Sequence, residues 1–394
     1  MKLRTQVGIV GAGPAGMMLA RLLELRGIDS IVIENCSRAY LEERVRAGVL
    51  EQGTVDTLNE AGVGARMRRQ GLVHHGIELS FEGRRHRLDM HELTGGRAIT
   101  VYGQQEVVKD LIQARVESGA PLYFEVTDTG VYNFDSEAPG IRFRYNGAPC
   151  EISCDFLAGC DGFHGICRPA VPAGALRVFE RTYPFGWLGI LAQSAPPSDE
   201  LIYCHHPRGF ALFSMRAPDI TRLYIQCEPD ENIADWPDDR LWSELESRLG
   251  AGDLTLREGP VLQKGVPPMR SFVTEPMQYG RLFLAGDAAH IVPPTGARGM
   301  NLAIADVRVL ARALAAYYET GARELLDGYS AACLRRVWRA EHFSWWMTSL
   351  LHRFPAHDAF QQRMQLAELE YVTRSRAAAT ALAENSVGLP FDSI

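Results

Sequence analysis

The chain has 394 residues, more than the roughly 250–300 that one hydrophobic core accommodates, so two or three interlocked lobes are expected. Hydrophobic residues make up 46% and charged residues 23%, as in an ordinary globular protein. The net charge of −7 argues against a nucleic-acid partner held by phosphate contacts. The sequence has no leader-like N-terminus and no uninterrupted apolar stretch of about 18 residues, which predicts a soluble cytoplasmic protein without a membrane segment.

The glycine-rich turn within residues 5–16, TQVGIVGAGPAG, comes first in the chain. An apolar run precedes it and a helical pattern follows at once. Gly11 permits the tight turn, Gly13 lets the backbone approach a pyrophosphate, and Gly16 lets the helix pack closely on the strand. Such a motif alone is weak, but a second apolar run, residues 31–33, ends in Glu34, where an acid would hold a ribose hydroxyl. The context predicts a dinucleotide-binding βαβ unit.

The segment that follows, residues 36–50, is polar and rich in arginine, including Arg38, Arg44 and Arg46. Its charges fit a solvated surface and an anion clamp equally well. Helical periodicity then predicts helices over residues 52–61 and 104–117.

Strand patterns alternate with these helices. His74 begins a strand over residues 72–81, which is followed by a hairpin return, and three more strands lie between residues 121 and 157. Residues 184–227 form a second block of short alternating segments, which favours an antiparallel sheet. A helix is predicted over residues 238–249, between Pro237 and Gly250.

The chain then returns to the nucleotide-binding layer. Residues 281–290 read as a strand that ends in Gly286-Asp287, and a helix begins near residues 299–301. The sheet block is therefore an insertion. We predict an α/β fold: a Rossmann-like dinucleotide-binding domain, an inserted antiparallel β-sheet domain and a helical C-terminal region.

The C-terminal region reads as helices over residues 302–318, 325–354 and 361–385, and its large apolar residues, most of them aromatic, exceed what one narrow stripe needs. They fit either core packing or a subunit interface. These residues are Trp338, Phe343, Trp345, Trp346, Leu350, Leu351 and Phe354.

The eight cysteines are scattered, and only Cys150, Cys154, Cys160 and Cys167 lie near one another. Their spacing fits no zinc-binding pattern. Buried free thiols are predicted, with no metal site and no disulfide framework.

Three motifs in order resemble those of the FAD-dependent aromatic hydroxylases of the single-component, group A class. They are GAGPAG with Glu34, GCDGFHGICR with Asp161-Gly162, and RLFLAGDAAHIVPPTGARGMN with Gly286-Asp287. The words RAGVLEQG, VYGQQEV, YPFGWLG, HPRGFAL and HFSWWMTSLLHRFP extend the resemblance from residue 6 to residue 390.

The resemblance implies domain limits and a homodimer. Residues 1–180 would form the FAD-binding domain, completed by about residues 268–320. Residues 181–267 would form the substrate-binding sheet and residues 321–394 the helical interface region.

The resemblance also implies the cofactor residues. FAD would be bound by Gly11, Gly13, Gly16, Glu34, Arg44, Arg46, Gln104, Asp161, Gly286, Asp287 and Asn301, with Asn301 at the flavin ring. The nicotinamide donor would contact Arg44, His164 and Arg270. We expect NADPH rather than NADH, although Asn35-Cys36 differ from the Arg-Gln of NADPH-preferring relatives and Glu42 and Glu43 would repel a 2′-phosphate.

The substrate implied is 4-hydroxybenzoate. A guanidinium binds a carboxylate bidentately, and Arg216 matches that role, assisted by Ser214 and Tyr224. Tyr203 and the Pro294 carbonyl would contact the phenol oxygen, because the phenol must lose its proton to react. The apolar walls would be Val49, Trp187, Leu201 and Leu212.

The proton relay departs from the family pattern. Family members carry a tyrosine where this chain has Ser386, between the substrate tyrosine and a histidine, here His74. Serine is much shorter, so water must fill the gap. We expect either slower phenol activation or room for a bulkier substrate such as 3,4-dihydroxybenzoate.

The function implied is hydroxylation of 4-hydroxybenzoate ortho to its phenol by NAD(P)H and O2, through a flavin C4a-hydroperoxide, to give 3,4-dihydroxybenzoate. The alternatives are hydroxylation of a related substituted benzoate, an oxygen-independent flavin reductase, and an FAD-binding sensor.

Overall fold

The structure is a computed structural model that describes residues 1–45, 48–250 and 254–391. The predicted strand, turn and helix at the N-terminus are confirmed as the strand Val7–Val10 and the helix Pro14–Glu24. Every residue of this strand is buried because parallel sheets are covered on both faces.

The nucleotide-binding layer is a six-stranded sheet among the described residues, parallel except at one edge. From that edge its strands are Gln278–Tyr279, Leu282–Leu284, Phe156–Gly159, Val7–Val10, Ser30–Ile33 and Leu122–Tyr123. The central pairing of Phe156–Gly159 with Val7–Val10 and Leu282–Leu284 brings the three glycine-containing motifs to one edge, because parallel strands end together. A second sheet of the described chain consists of Lys2–Arg4, Ala148–Ser153, Gly140–Tyr145 and Thr127–Tyr132.

The inserted sheet has seven strands within the described ranges. In order they are Val261–Gly265, Gly186–Ala192, Ile220–Cys227, Ala211–Ala217, Leu201–Cys204, Gly76–Phe81 and Arg84–Asp89. Its pairings are antiparallel, as predicted, except that Leu201–Cys204 runs parallel to Gly76–Phe81. The N-terminal part of the chain therefore contributes two strands to this sheet.

The two faces of this sheet have different neighbours. On one face, Leu188, Ile202, Phe213 and Leu223 form a buried cluster with the helix Asp238–Leu249, whose predicted limits are confirmed. The opposite face is free of this helix and carries the predicted substrate residues.

Two small sheets complete the strands of the described chain. They are Arg177–Thr182, Arg270–Glu275 and His290–Ile291 in one, and Val49–Leu50, Ile99–Val101 and Leu72–His74 in the other. Short 3-10 turns cover Ile233–Asp235, Gly286–Ala288 and Pro294–Gly296.

The helices confirm the predicted α/β class with its helical C-terminal region. They are Pro14–Glu24, Arg38–Glu43, Gln52–Glu60, Ala65–Gln70, Met90–Leu93, Gln104–Glu117, Asp238–Leu249, Gly299–Thr320, Glu324–Asp327, Tyr329–Leu351, Ala359–Arg374 and Arg376–Val387. The predicted helix over residues 325–354 is divided at Gly328. In the part of the chain that the structure describes, no helix has the length and apolar character needed to cross a membrane. The domain limits given above remain a prediction.

The large apolar residues of the C-terminal region lie in two different environments. Phe343, Leu350 and Leu351 are buried in the core shared with the inserted sheet, whereas Trp338 and Trp345 are 39% and 40% exposed. Core packing thus accounts for only part of the set. The four clustered cysteines are buried free thiols, as predicted.

Candidate active site

One cavity of about 1130 Å³ joins the nucleotide-binding turns to the inserted sheet. Ligand pockets span roughly 300–1,000 Å³, so this volume suits a dinucleotide together with a small aromatic molecule. The predicted residues that line it are Gly11, Gly13, Glu34, Arg44, Val49, Gln104, Asp161, His164, Trp187, Tyr224, Gly286, Asp287 and Pro294.

The first turn is built for close approach of a ligand. Gly11 has φ +104°, and a Cβ there would meet the Cys160 carbonyl oxygen at 2.3 Å. A Cβ at Gly16 would meet the Gly11 carbonyl oxygen at 1.9 Å, whereas at Gly13 it would meet no described atom within 4 Å. Gly11 and Gly16 therefore allow the tight packing, and Gly13 leaves the space beside the helix N-terminus open for an anion.

Glu34 has a structural task in addition to the one predicted. Its Oε2 accepts the Ala12 backbone N–H at 2.8 Å and its Oε1 accepts the Cys36 N–H at 2.8 Å. The carboxylate thus fixes the first turn from the end of the neighbouring strand. A ribose contact by Glu34 remains a prediction.

Asp161 offers an acceptor that no described residue uses. Its Oδ2 accepts the Cys167 N–H at 2.9 Å, but its Oδ1 is buried without a hydrogen-bond partner in the described chain. Burial raises the pKa of this carboxyl, and the bonds from the Cys167 and Ile166 backbone lower it in part. Asp161 lines the cavity, so its carboxyl group lies beside the space in which a dinucleotide would bind.

The Gly286-Asp287 turn is fixed by a hydrogen bond from its backbone to a neighbouring helix. Asp306, in the helix Gly299–Thr320, accepts the Gly286 N–H at 3.0 Å and lies 2.6 Å from His290 Nε2. Gly286 has φ +63°, a conformation that favours glycine.

Most of the residues predicted for substrate share one face of the inserted sheet, whereas Val49 and Pro294 lie outside this sheet. Tyr203 pairs with Leu212, and Leu212 pairs with Tyr224. Because side chains alternate along a strand, Leu201, Ser214 and Trp187 lie on this same face. Arg216 stands where the strand register shifts, and its contact with the Ser214 hydroxyl places its side chain on that face.

Two arginines flank the Tyr224 hydroxyl. Arg222 Nε lies 3.2 Å from this hydroxyl, and the Arg216 guanidinium also interacts with it. Burial raises the pKa of Tyr224, but the Arg222 and Arg216 cations lower it by more, so the pKa falls below its usual value. Gly189 lies opposite Tyr224, and a Cβ there would meet Arg222 Nη2 at 2.9 Å and the Tyr224 ring at 3.3 Å.

Arg222 lines the cavity and was missed by the sequence reasoning. It precedes Tyr224 by two residues on one strand, so strand alternation alone places both on the same face. Arg216 Nη1 donates to Ser214 Oγ at 3.2 Å and to the Met215 carbonyl at 2.7 Å, so the predicted Arg216–Ser214 association is present.

The FAD-binding domain family model matches residues 4–344 of the chain. The chain belongs to the FAD-dependent aromatic hydroxylases. The p-hydroxybenzoate hydroxylase of Acinetobacter baylyi is 49% identical over 391 residues, which cover 99% of this chain and 96% of that protein. A 3-(3-hydroxy-phenyl)propionate/3-hydroxycinnamic acid hydroxylase of Mycobacterium sp. (strain JLS) is 27% identical, and the match covers 82% of this chain and 56% of the relative.

The fold of the aromatic hydroxylases is also seen among solved structures. The p-nitrophenol 4-monooxygenase of Pseudomonas putida superimposes with a TM-score of 0.84 at 18% identity, covering 99% of this chain and 100% of that structure. The predicted family, FAD-dependent monooxygenase activity and use of FAD with NAD(P)H are confirmed for this chain as a member of the family.

Some residues predicted to act at the hydroxylase site have other contacts. The Asn301 side chain accepts the Glu51 N–H at 3.0 Å and donates to the carbonyls of Val49 and Ala297 at 3.0 and 2.9 Å. It thus fixes the strand that carries Val49 beside the cavity, and its predicted place at the flavin ring remains a prediction. The Pro294 carbonyl accepts the Ala297 N–H at 2.9 Å and retains one lone pair.

The nicotinamide residues are only partly assembled. His164 lines the cavity. Its ring lies edge-on to Phe163 at 5.0 Å, and Arg270 lies over the same Phe163 ring at 4.8 Å. Arg44 lines the cavity over Tyr40, whereas the predicted contact Arg46 lies outside the described residues.

The predicted relay residues are not joined directly. Ser386 Oγ donates to the Leu382 carbonyl of its own helix at 2.9 Å. His74 is 1% exposed, and both ring nitrogens are buried without a hydrogen-bond partner among the described residues. Burial lowers the pKa of His74 to about 4, although Glu200 and Asp199 raise it in part.

Tyr203 is a neutral phenol at physiological pH. Burial raises the pKa of its hydroxyl to about 12, and the Arg298 cation lowers it in part. Tyr203 can therefore exchange one proton for another but cannot keep a negative charge. Its role, like those of the other predicted site residues, remains a prediction.

Proposed function

We propose that the chain hydroxylates 4-hydroxybenzoate at the carbon ortho to its phenol and gives 3,4-dihydroxybenzoate, with NAD(P)H and O2 as co-substrates. The observation that carries the proposal is the single cavity bounded by both glycine-containing turns and by Trp187, Arg222 and Tyr224 of the inserted sheet. A nucleotide cofactor and an aromatic acid can meet there. The relative with 49% identity, named p-hydroxybenzoate hydroxylase, supports this substrate.

FAD, when bound, supplies the redox and oxygen chemistry. The chain's part in holding it falls to the helix N-terminus at Gly13, the unused Asp161 oxygen and the Gly286-Asp287 turn, with Gly11, Gly16, Glu34, Arg44, Gln104 and Asn301 around them. Arg46 belongs to the proposed set from the sequence alone.

The aromatic acid is held at both ends. Arg216, assisted by Ser214 and Tyr224, would bind the carboxylate, because a guanidinium presents paired donors to two oxygens. Arg222 adds a second cation to that end of the site. The ring would lie between Val49, Trp187, Leu201 and Leu212, which exclude water from the reacting carbon.

The phenol end has to lose a proton. We propose that the phenol donates to Tyr203 Oη while Tyr203 passes its own proton towards Ser386 and His74 through water. Tyr203 stays neutral because burial raises its pKa to about 12. His74 is neutral near pH 7, so one of its two buried ring nitrogens can accept a hydrogen bond and the other donates one. The second contact to the phenol oxygen would be the Pro294 carbonyl.

Steady-state oxidation of NADH and NADPH tests this function. We expect 4-hydroxybenzoate to stimulate oxidation and to yield 3,4-dihydroxybenzoate, and substituted benzoates to be weaker. If only 3,4-dihydroxybenzoate stimulates NAD(P)H oxidation, the substrate is instead the bulkier benzoate for which Ser386 leaves room. A bound FAD with no NAD(P)H consumption on any phenolic acid would indicate a sensor.

NADPH is the proposed donor, through Arg44, His164 and Arg270. The side chains of His164 and Arg270 meet at Phe163, which supports a shared anion contact. The Arg38 guanidinium, which could also reach a 2′-phosphate, is paired with Glu42 at 2.6 Å, so the preference over NADH is expected to be small.

We further propose a cytoplasmic homodimer. The helix Ala359–Arg374 exposes Phe360, Met364 and Tyr371 at 71%, 53% and 59%, and their spacing of 4 and 7 residues places them on one face. A second copy of the chain would cover this face, which sedimentation of the FAD-loaded protein tests. Free thiols at all eight cysteines suit the reducing cytoplasm.

A further inference from the structure

A buried histidine at the end of the helix Tyr329–Leu351 has no task in the function proposed above. His352 follows the last residue of this helix and is 0% exposed. A polar ring is buried at a cost unless its nitrogens are paired. Its two hydrogen bonds therefore indicate why it is there.

Both ring nitrogens of His352 form hydrogen bonds. Nδ1 lies 3.0 Å from the Thr348 carbonyl oxygen, and Nε2 lies 2.6 Å from Trp187 Nε1. The carbonyl can only accept and the indole N–H can only donate, so Nδ1 carries the proton and Nε2 accepts. Burial lowers the pKa of His352 to about 3, which keeps the ring neutral and this tautomer in place.

The surrounding rings fix the plane of the imidazole. It stacks on Phe210 at 4.3 Å and on Phe185 at 4.7 Å, and it lies 9° from the plane of the Trp187 indole. On its other side the indole meets the Tyr224 ring at 4.9 Å and lines the cavity. One hydrogen bond thus connects the end of a C-terminal helix to a wall of the site.

We propose that His352 is a positioning residue that holds the Trp187 indole in the orientation required to form the wall of the aromatic-acid site. The inference rests on the proposed function, because it takes Trp187 to be a wall of that site. Trp187 is 2% exposed, and its indole N–H has no other hydrogen-bond acceptor among the described residues. Loss of the acceptor would release the ring to rotate, which changes the fit of the substrate and leaves the FAD-binding turns unaltered.

The first test does not depend on the substrate. Protein labelled with 15N-tryptophan has six indole N–H groups, and the Trp187 signal is assigned by its loss in Trp187→Phe. We expect this signal to exchange slowly with D2O in the native chain and in His352→Gln, which keeps an acceptor. In His352→Phe it should shift and exchange quickly. An unchanged Trp187 signal in His352→Phe would overturn the proposal.

The second test separates positioning from general packing. In FAD-loaded protein, His352→Phe should raise the KM for 4-hydroxybenzoate about tenfold, the effect of about 1.4 kcal/mol, with kcat changed by less than about twofold. His352→Gln should restore most of the KM. If His352→Phe does not fold, His352→Leu takes its place in both tests.

A double variant makes the outcome decisive. In a Trp187→Phe background no indole N–H needs an acceptor, so His352→Phe should add nothing further to the KM. Independent, multiplying effects of the two substitutions would overturn the proposal. A native chain that does not hydroxylate 4-hydroxybenzoate would instead refute the proposed function, while the indole signals would still decide the His352–Trp187 contact.

Discussion

Among single residues, the two arginines beside Tyr224 are both candidates for binding the carboxylate in the proposed function. Both cations lower the Tyr224 pKa against the effect of burial, so both act at the same point. Arg222 lines the cavity, and Arg216 donates to Ser214 and to the Met215 carbonyl. Arg216 is the predicted anchor.

Replacement of Arg216 with alanine should raise the KM for 4-hydroxybenzoate roughly 100-fold, because a charge-assisted pair of hydrogen bonds is lost. Arg208→Ala, at an exposed arginine paired with Glu244, is the control and should leave the KM within about twofold of native. A near-native KM in Arg216→Ala together with a large rise in Arg222→Ala would transfer the anchor to Arg222.

Ser386 is where this chain departs most clearly from its family. Its hydroxyl donates to the Leu382 carbonyl of its own helix, so it must turn towards water to take part in the proposed relay, and Ser386→Ala, which removes the hydroxyl, should slow turnover of 4-hydroxybenzoate. Ser386→Tyr should increase turnover of 4-hydroxybenzoate several-fold, less than the roughly 100-fold or more of a complete general base because water already carries part of the transfer, and should lower that of 3,4-dihydroxybenzoate. Rates measured on both substrates check this; if tyrosine alters neither rate nor preference, the proposed relay through position 386 is wrong.

At the scale of elements, the short helix Arg38–Glu43 bears on the choice of donor. Glu42 engages Arg38 within this helix. Glu42→Gln should free the guanidinium for a 2′-phosphate and raise the ratio of kcat/KM for NADPH over NADH about threefold to tenfold. Glu43→Gln, at an exposed neighbour, removes the same charge without releasing Arg38. Equal shifts in the two variants would contradict a role for the Arg38–Glu42 pair.

Elements were predictable where their ends are marked. The helix Asp238–Leu249 was predicted with its observed limits because Pro237 and Gly250 flank it. The parallel pairing of Leu201–Cys204 with Gly76–Phe81 joins residues more than 100 positions apart, and periodicity indicates a strand without indicating its neighbour. The strand Val49–Leu50 is too short to show any period.

The candidate site shows a similar division. The family resemblance, and not strand alternation, identified Tyr203, Leu212 and Tyr224 as candidate site residues, and the observed register places them side by side. His352 could not be found in this way, since its importance lies in a hydrogen bond between residues 165 positions apart. Asn301 was assigned to the flavin, yet its amide bonds to the backbone of three residues.

At the scale of the whole molecule, two buried histidines should limit stability in acid. Burial lowers the pKa of His74 to about 4 and that of His352 to about 3. In the unfolded chain, both histidines bind a proton below about pH 6.5, whereas in the folded chain they stay neutral. Their contribution to folding stability is therefore complete above about pH 6.5 and is lost as the pH falls towards 4 and 3.

Urea unfolding at pH 7 and pH 5 measures this loss. Each histidine should contribute on the order of 2 kcal/mol to the difference, so His74→Gln should lose less stability over this interval than the native chain. His91→Gln, at an exposed histidine, should behave like the native protein. A native-like pH difference in His74→Gln would show that His74 is not held neutral.

In the proposed function, one cavity brings a flavin, a nicotinamide donor, oxygen and an aromatic acid into a single reaction. A reductase or a sensor with the same fold would use the nucleotide site without transferring oxygen. The distinction therefore lies in the source of the new hydroxyl group.

Turnover of 4-hydroxybenzoate under 18O2 with NADPH, followed by mass spectrometry of the product, identifies that source. We expect 3,4-dihydroxybenzoate with one 18O atom in its new hydroxyl group. Oxidation of NADPH that leaves 4-hydroxybenzoate unlabelled and unchanged would contradict the proposed function.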